Sequence, residues 1–383
     1  MKLLVVVFIN ISLYLGLVSC GGVDNSEPPA TLVDFAESSV LTVLDEIEIG
    51  ETSSQYYRID PLDLNKSITF SDQKGLITSF NKETFKIRWK KDLKLQFPSA
   101  LGGDQSIFVI GTRSGELIAL NPVDGEILWR VVVSSEILAK PVISQGTVII
   151  KTVDGQISAL KSKTGQQLWT YKRDVPALSV RGNSIPEVID DKIITGLDNG
   201  KLVILDLASG VLVWEKTIAV SRGRSEVDRL VDLDADLLVQ DSVIFIGGFQ
   251  GKVVALDLQT GDFLWTRKMS VVNNMTIENQ KLYITDARSH IWCLDASTGA
   301  TVWKQRVFTA RKLTSPVVSG PNILLADYQG YLHVIDKSDG HLVSRLQVDE
   351  SGVDIKPIII GDKIYLQSKR SKIYILDLKE LVL

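Results

Sequence analysis

The sequence predicts an all-β fold: an eight-bladed β-propeller built from four-stranded antiparallel blades. Three observations carry that prediction. A sixteen-residue phrase recurs along the chain, most clearly at residues 114–129 and 250–265. Its opening glycine returns at Gly75, Gly115, Gly155, Gly200, Gly251 and Gly330, with Ser289 and Ser371 in the same slot of two weaker copies, which makes eight copies at a spacing of about 40 residues. Its closing tryptophan returns at Trp89, Trp129, Trp169, Trp214, Trp265 and Trp303, and gives way to Ser344 in the seventh copy. Strand-forming repeats of that length are the signature of propeller blades.

Each copy yields its strands in order. Several open with proline, as at Pro141, Pro316 and Pro357, a residue tolerated at a strand's first position. A β-branched apolar run follows, as at 147–150, 242–246 and 322–325. An x-Gly pair then supplies the positive φ of a tight hairpin. The third strand, 117–120 in the clearest copy, ends at Asp or Asn, and a glycine three or four residues later marks a second hairpin (Gly125, Gly165, Gly210, Gly261, Gly299, Gly340). Phe85 stands where the first copy should have that glycine, so the shape of its hairpin is left open. The eighth copy stops after its third strand, and the β-rich run 40–49 has no earlier partner. Placing that run as the missing outer strand of the last blade removes an unpaired edge.

Length and composition fit one closed ring. A chain of 383 residues would ordinarily divide into two or three domains, but the repetition is continuous. A net charge of −4 leaves no basic footprint for nucleic acid. The two cysteines, Cys20 and Cys293, make no disulfide framework, and Cys293 reads as a small buried hydrophobe within a strand. Residues 1–19 read as a signal peptide: Lys2, a long apolar run, then small residues. The ending Leu17-Val18-Ser19-Cys20 resembles a bacterial lipobox, which implies that Cys20 is acylated and anchors the mature chain. Gly21 in place of an aspartate implies, by the same resemblance, the periplasmic face of the outer membrane. Residues 20–38 read as the lipidated cysteine and a flexible tether, and 39–383 as the propeller.

The phrase at 255–265 resembles the tryptophan-docking repeat of the quinoprotein family, in which each tryptophan packs between neighbouring blades. The six tryptophans are therefore read as structural. That likeness also implies an alternative function, a pyrroloquinoline-quinone dehydrogenase or a ligand-binding propeller. Such enzymes hold the quinone with calcium and a catalytic aspartate, often beside an adjacent cysteine pair, and this shorter chain has no adjacent cysteines. Its acids Asp206, Asp257, Asp295, Asp336 and Asp377 fall at repeat turns and read as Asx turns. His290, His333 and His341 sit in separate contexts and form no metal-ligand set. The reading assigns no catalytic residue, no metal and no cofactor.

The informative departures are where the period stretches. From Trp169 to Gly200, and from Trp214 to Gly251, the interval exceeds that between Trp129 and Gly155. Both insertions fall in the same part of adjacent repeats, which places two long loops side by side on one rim. Loops on a rigid scaffold are where function usually sits. Their segments 178–186 and 225–234 resemble the signature loops of the BamB family, the propeller lipoproteins of the outer-membrane β-barrel assembly machinery. Residues 314–318 and 329–333 are similar to that family as well, and the likeness runs from the lipobox to the C-terminus. It implies a non-enzymatic scaffold that docks on a POTRA domain of the barrel subunit BamA through Leu178, Val180 (a leucine in the family), Arg181, Asp232 and Asp234. The sequence leaves open whether Asp232 and Asp234 meet the partner or orient Arg181. It also implies indirect contact with the other lipoproteins of that machinery, membrane contact through acyl chains only, and, through edge pairing, a hold on unfolded outer-membrane proteins.

Overall fold

Each repeat copy forms one blade, and the eight blades are eight separate four-stranded antiparallel sheets. The computed structural model describes residues 27–49, 60–173, 184–197, 199–218, 237–248, 251–271 and 275–381. Blade 3 shows the plan: strands Val142–Ser144, Thr147–Lys151, Gln156–Lys161 and Gln167–Lys172 pair in chain order, and are termed A to D below. The A strands of neighbouring blades approach one another around the axis, while the D strands form the periphery. Among the described residues there is no helix.

The apolar residues do not converge on one centre. They form eight clusters, each shared between two adjacent blades. Ile149, Ile157 and Ala159 of blade 3 meet Ile193, Val203 and Leu205 of blade 4, for example. This explains the continuous apolar runs of the B and C strands, which are covered on both faces. The D strands alternate, as in Ile127–Val132, because one face looks out to water.

The repeat tryptophans lock each blade to the next. The indole Nε1 of Trp129 donates to the Ser162 carbonyl (2.7 Å), Trp169 to Leu207 (3.0 Å) and Trp265 to Ala296 (2.8 Å), each in the following blade. Beneath each ring lies the C–D hairpin glycine of that blade. A Cβ on Gly210 would stand 2.4 Å from the Trp169 ring, at φ +69°. Two departures in the sequence now have one explanation. Ser344 replaces tryptophan in blade 7 because blade 8 has no C–D hairpin for a ring to cover: its third strand runs straight through Lys372–Glu380. Blade 8 in turn supplies no tryptophan to blade 1, so the glycine slot there is filled by Phe85, at φ 55°, which stacks on Tyr365 with centroids 4.9 Å apart. The turn itself is kept, since Phe85 N donates to the Asn81 carbonyl (2.9 Å).

Closure follows the sequence expectation. Ser39–Glu48 pairs antiparallel with Lys372–Glu380 as the outer strand of blade 8, with Leu41 opposite Leu378. One turn assignment is corrected as a consequence. Asp206, Asp257, Asp295 and Asp336 do cap hairpins, but Asp377 lies within the long strand, opposite Thr42 and near Lys363 (3.3 Å) and Lys379 (3.5 Å).

The segment ahead of the closing strand is bound to the ring. Glu27 accepts from Arg288, Ala30 N donates to the Thr309 carbonyl (2.9 Å), and Arg311 donates back to the Ala30 carbonyl (3.1 Å). Further on, Arg345 donates to the Val33 carbonyl and lies over the Phe35 ring, and Ser38 N donates to the Val343 carbonyl. Residues 27–38 thus strap the outside of blades 6 and 7.

Candidate docking rim

Strand direction places every B–C hairpin and every D-to-A connection on the same rim. Hydrogen bonds join the two sets: Val133 N donates to the Gly115 carbonyl, Ile218 N to Gly200, Met269 N to Gly251 and Val348 N to Gly330. The two long loops are D-to-A connections, from blade 3 to 4 and from blade 4 to 5. Leu178, Val180, Arg181, Asp232 and Asp234 lie outside the described residues, as does Cys20. The roots of both loops are described, and they are built together.

Arg173, one residue past the D strand of blade 3, donates to the Tyr171 hydroxyl (2.8 Å) and pairs with Glu215 in the D strand of blade 4. Lys201 holds the other oxygen of Glu215 (2.8 Å). One carboxylate between two cations thereby joins the departure point of the first loop to the strand that feeds the second. The Lys201 ammonium, followed by the Arg173 charge, holds the Glu215 carboxyl below its ordinary value. The pairs are partly solvated, so they set position more than stability. The return of the first loop is fixed differently. Lys151, buried at the end of a B strand, donates to Ser184 Oγ (3.1 Å) and to the Gly196 carbonyl (2.9 Å), and Ser184 Oγ also donates to that carbonyl (3.1 Å). The second loop is anchored at both ends by apolar burial, Ile218 and Leu237 lying in the core between blades 4 and 5.

Sequence reasoning missed this clamp. A lysine closing the otherwise apolar run 147–151 was the available signal for Lys151. Arg173 and Glu215 gave none, because each is unremarkable until the blades are laid side by side. Elsewhere on the same rim, blade 7 buries a charged set. Asp327 accepts from Arg311 (2.7 Å) and from His333 Nε2 (3.0 Å), all nearly or wholly excluded from water. Burial holds His333 neutral, its pKa below the ordinary value, and Nδ1 lies against the Phe308 ring with no hydrogen-bond partner among the described residues. His290 is likewise held down, by burial and then by the charges of Lys304 and Arg288, against the pull of Asp286. His341 bonds Asp339 (2.6 Å) in an exposed hairpin, and with Asp336 these are three donor groups within 4.8 Å. Asp336 already caps its own turn through Ser338 N (2.7 Å). Burial pushes the Cys293 thiol up to about 11, in keeping with a packing role opposite Trp303.

With this geometry in place, the comparisons with known proteins decide the family. The sequence matches the family described as outer membrane protein assembly factor BamB over residues 73–305. The chain belongs to the BamB family. The BamB of Yersinia pestis is 34% identical over 295 residues, spanning 74% of this chain and 75% of that protein. The crystal structure of BamB from Moraxella catarrhalis superposes with a TM-score of 0.79 at 27% identity, covering 88% of this chain and all of that one. A quinohemoprotein alcohol dehydrogenase from Comamonas testosteroni matches with a TM-score of 0.68 at 12% identity, which shows a shared fold alone. BamB homologues are named as outer membrane assembly factors, so the chain has a role in outer-membrane protein assembly and an association with that membrane.

Proposed function

We propose that this BamB-family chain is a non-catalytic, lipid-anchored scaffold. It docks by its long-loop rim on a periplasmic POTRA domain of the barrel subunit and assists insertion of β-barrel proteins. The observation that carries the reading is the clamp of Arg173, Glu215 and Lys201, which sets the roots of the two longest inter-blade loops beside each other on one rim. A presented pair of loops on a rigid ring is a recognition device. Interfaces of this kind concentrate their energy in arginines flanked by apolar residues. Arg181 with Leu178 and Val180 fits that pattern, and Asp232 and Asp234 lie on the neighbouring loop. Cys20 is the acylation site that holds the scaffold at the membrane's periplasmic face. The test uses a photo-cross-linking residue placed at 180 or at 163, which lies in a hairpin on the opposite rim. Capture of the barrel subunit from 180 and not from 163 is expected in intact cells. Capture from 163 alone would reverse the assigned face.

A further inference from the structure

The flank of blade 6 carries an unbalanced group of cations around a tryptophan. The Trp292 ring is covered by Lys304 Nζ at 3.8 Å and by the Arg267 guanidinium at 4.9 Å. Arg288, with 62% of its side chain exposed, projects from the adjacent B–C hairpin, and Arg306 is exposed just beyond the D strand. Burial, and then the charges of Arg306, Arg288 and Arg267 against a single opposing Asp286, hold the Lys304 ammonium below its ordinary value. Asp286 is turned inward, accepting from Trp292 Nε1 (2.8 Å) and bonding His290 (3.1 Å).

Three other blade seams each pair a cation with an acid. Lys91 of blade 1 meets Glu126 of blade 2, Arg173 of blade 3 meets Glu215 of blade 4, and Lys216 of blade 4 meets Asp262 of blade 5. At the seam of blades 5 and 6 Arg267 finds the Gly299 carbonyl (2.7 Å) and Thr301 Oγ1 (2.6 Å) instead. Among the described residues no carboxylate pairs with Lys304 or Arg306. This local surplus stands out on a chain of net charge −4. The strap reaches the ring at the same spot, Glu27 accepting from Arg288 at 2.9 and 3.1 Å. Six residues, 21–26, separate that contact from Cys20 at the end of the lipobox, a span of at most about 25 Å.

We propose that Arg267, Arg288, Trp292, Lys304 and Arg306 form a docking surface for anionic phospholipid headgroups, so that the ring meets the membrane through this flank and not through acyl chains alone. Charge complementarity and the entry point of the leader select that occupant. Clustered Lys and Arg are attracted to anionic bilayers, and an amphipathic indole suits the headgroup layer. The leader brings this flank to the membrane only with Cys20 acylated, as proposed above, while the cation cluster stands without it.

The test uses unacylated chain from Gly21 onward, which keeps every described residue, and measures co-sedimentation with vesicles. Binding to phosphatidylglycerol–phosphatidylethanolamine vesicles, absent with phosphatidylcholine, is expected. It should weaken at least about tenfold in Lys304→Glu with Arg306→Glu, and not in Lys163→Glu on the opposite rim. Should the double variant fail to fold, Arg306→Glu alone changes an exposed side chain and is expected to weaken binding severalfold. Equal binding to both vesicle types, or binding indifferent to these reversals, would overturn the proposal. So would saturable binding of inorganic phosphate by calorimetry with no vesicle binding, which would identify a free-anion site. The mass of membrane-extracted full chain reports Cys20 acylation separately, so failure of the anchor and failure of this surface are told apart.

Discussion

At the residue scale, the glycines of the C–D hairpins are held by two constraints that can be separated. Gly210 shares its left-handed backbone with Gly361 of the A–B hairpin in blade 8 (φ +69° and +61°), but only Gly210 lies under a tryptophan; nothing stands within 4 Å of a Cβ on Gly361. Left-handed backbone costs an alanine about 1–2 kcal/mol. We therefore predict that Gly361→Ala loses about that much in urea unfolding, and that Gly210→Ala loses on the order of 2 kcal/mol more, from displacement of the Trp169 ring. Equal losses would mean that the ring yields freely. The buried histidine gives a second prediction. Unfolded, His333 takes up a proton near its ordinary value of 6.5; folded, burial opposes that uptake. Stability from this group is fully present above the ordinary value and falls as pH drops through it. The depressed carboxyl of Asp327 adds a further loss in more acidic solution, below its ordinary 3.8. His333→Gln, which can still donate to Asp327, should flatten the decline between about pH 7.5 and about pH 5, with His290 supplying what remains. An unchanged decline would place the titration elsewhere.

At the element scale, much was legible. Hairpin glycines, β-branched runs and prolines marked the strands, because blade geometry repeats and so must the residues that permit it. The closing strand was readable as an orphan run facing an incomplete copy. Phe85 and Ser344 were not, since each is explained by what the neighbouring blade lacks. The strap was not legible either: residues 27–38 look polar and Pro-containing, and their partners Arg288, Arg311 and Arg345 lie more than 250 residues away. Closure makes a prediction of its own. Removing residues 39–48 strips blade 8 of its outer strand and takes Leu41 from the core between blades 7 and 8. The ring should then melt on the order of 10 °C lower in a single transition. A normal midpoint with a local loss of amide protection would show that blade 8 frays without opening the ring.

At the scale of the whole molecule, the ring is a frame whose two adjacent longest connections share a rim and a common charged root. The unequal repeat period revealed those loops, and resemblance supplied their residues; the clamp beneath them required the fold. Function on this account is presentation: the interlocked blades hold the roots of the two loops beside each other on one rim. The most direct measurement is the affinity of the unacylated chain for the soluble periplasmic region of the barrel subunit, by calorimetry. Arg181→Ala should weaken it roughly thirtyfold, about 2 kcal/mol, with the melting point unchanged and Lys163→Ala without effect. An Arg181→Ala chain that binds as tightly as the unsubstituted one would contradict the assignment of this rim.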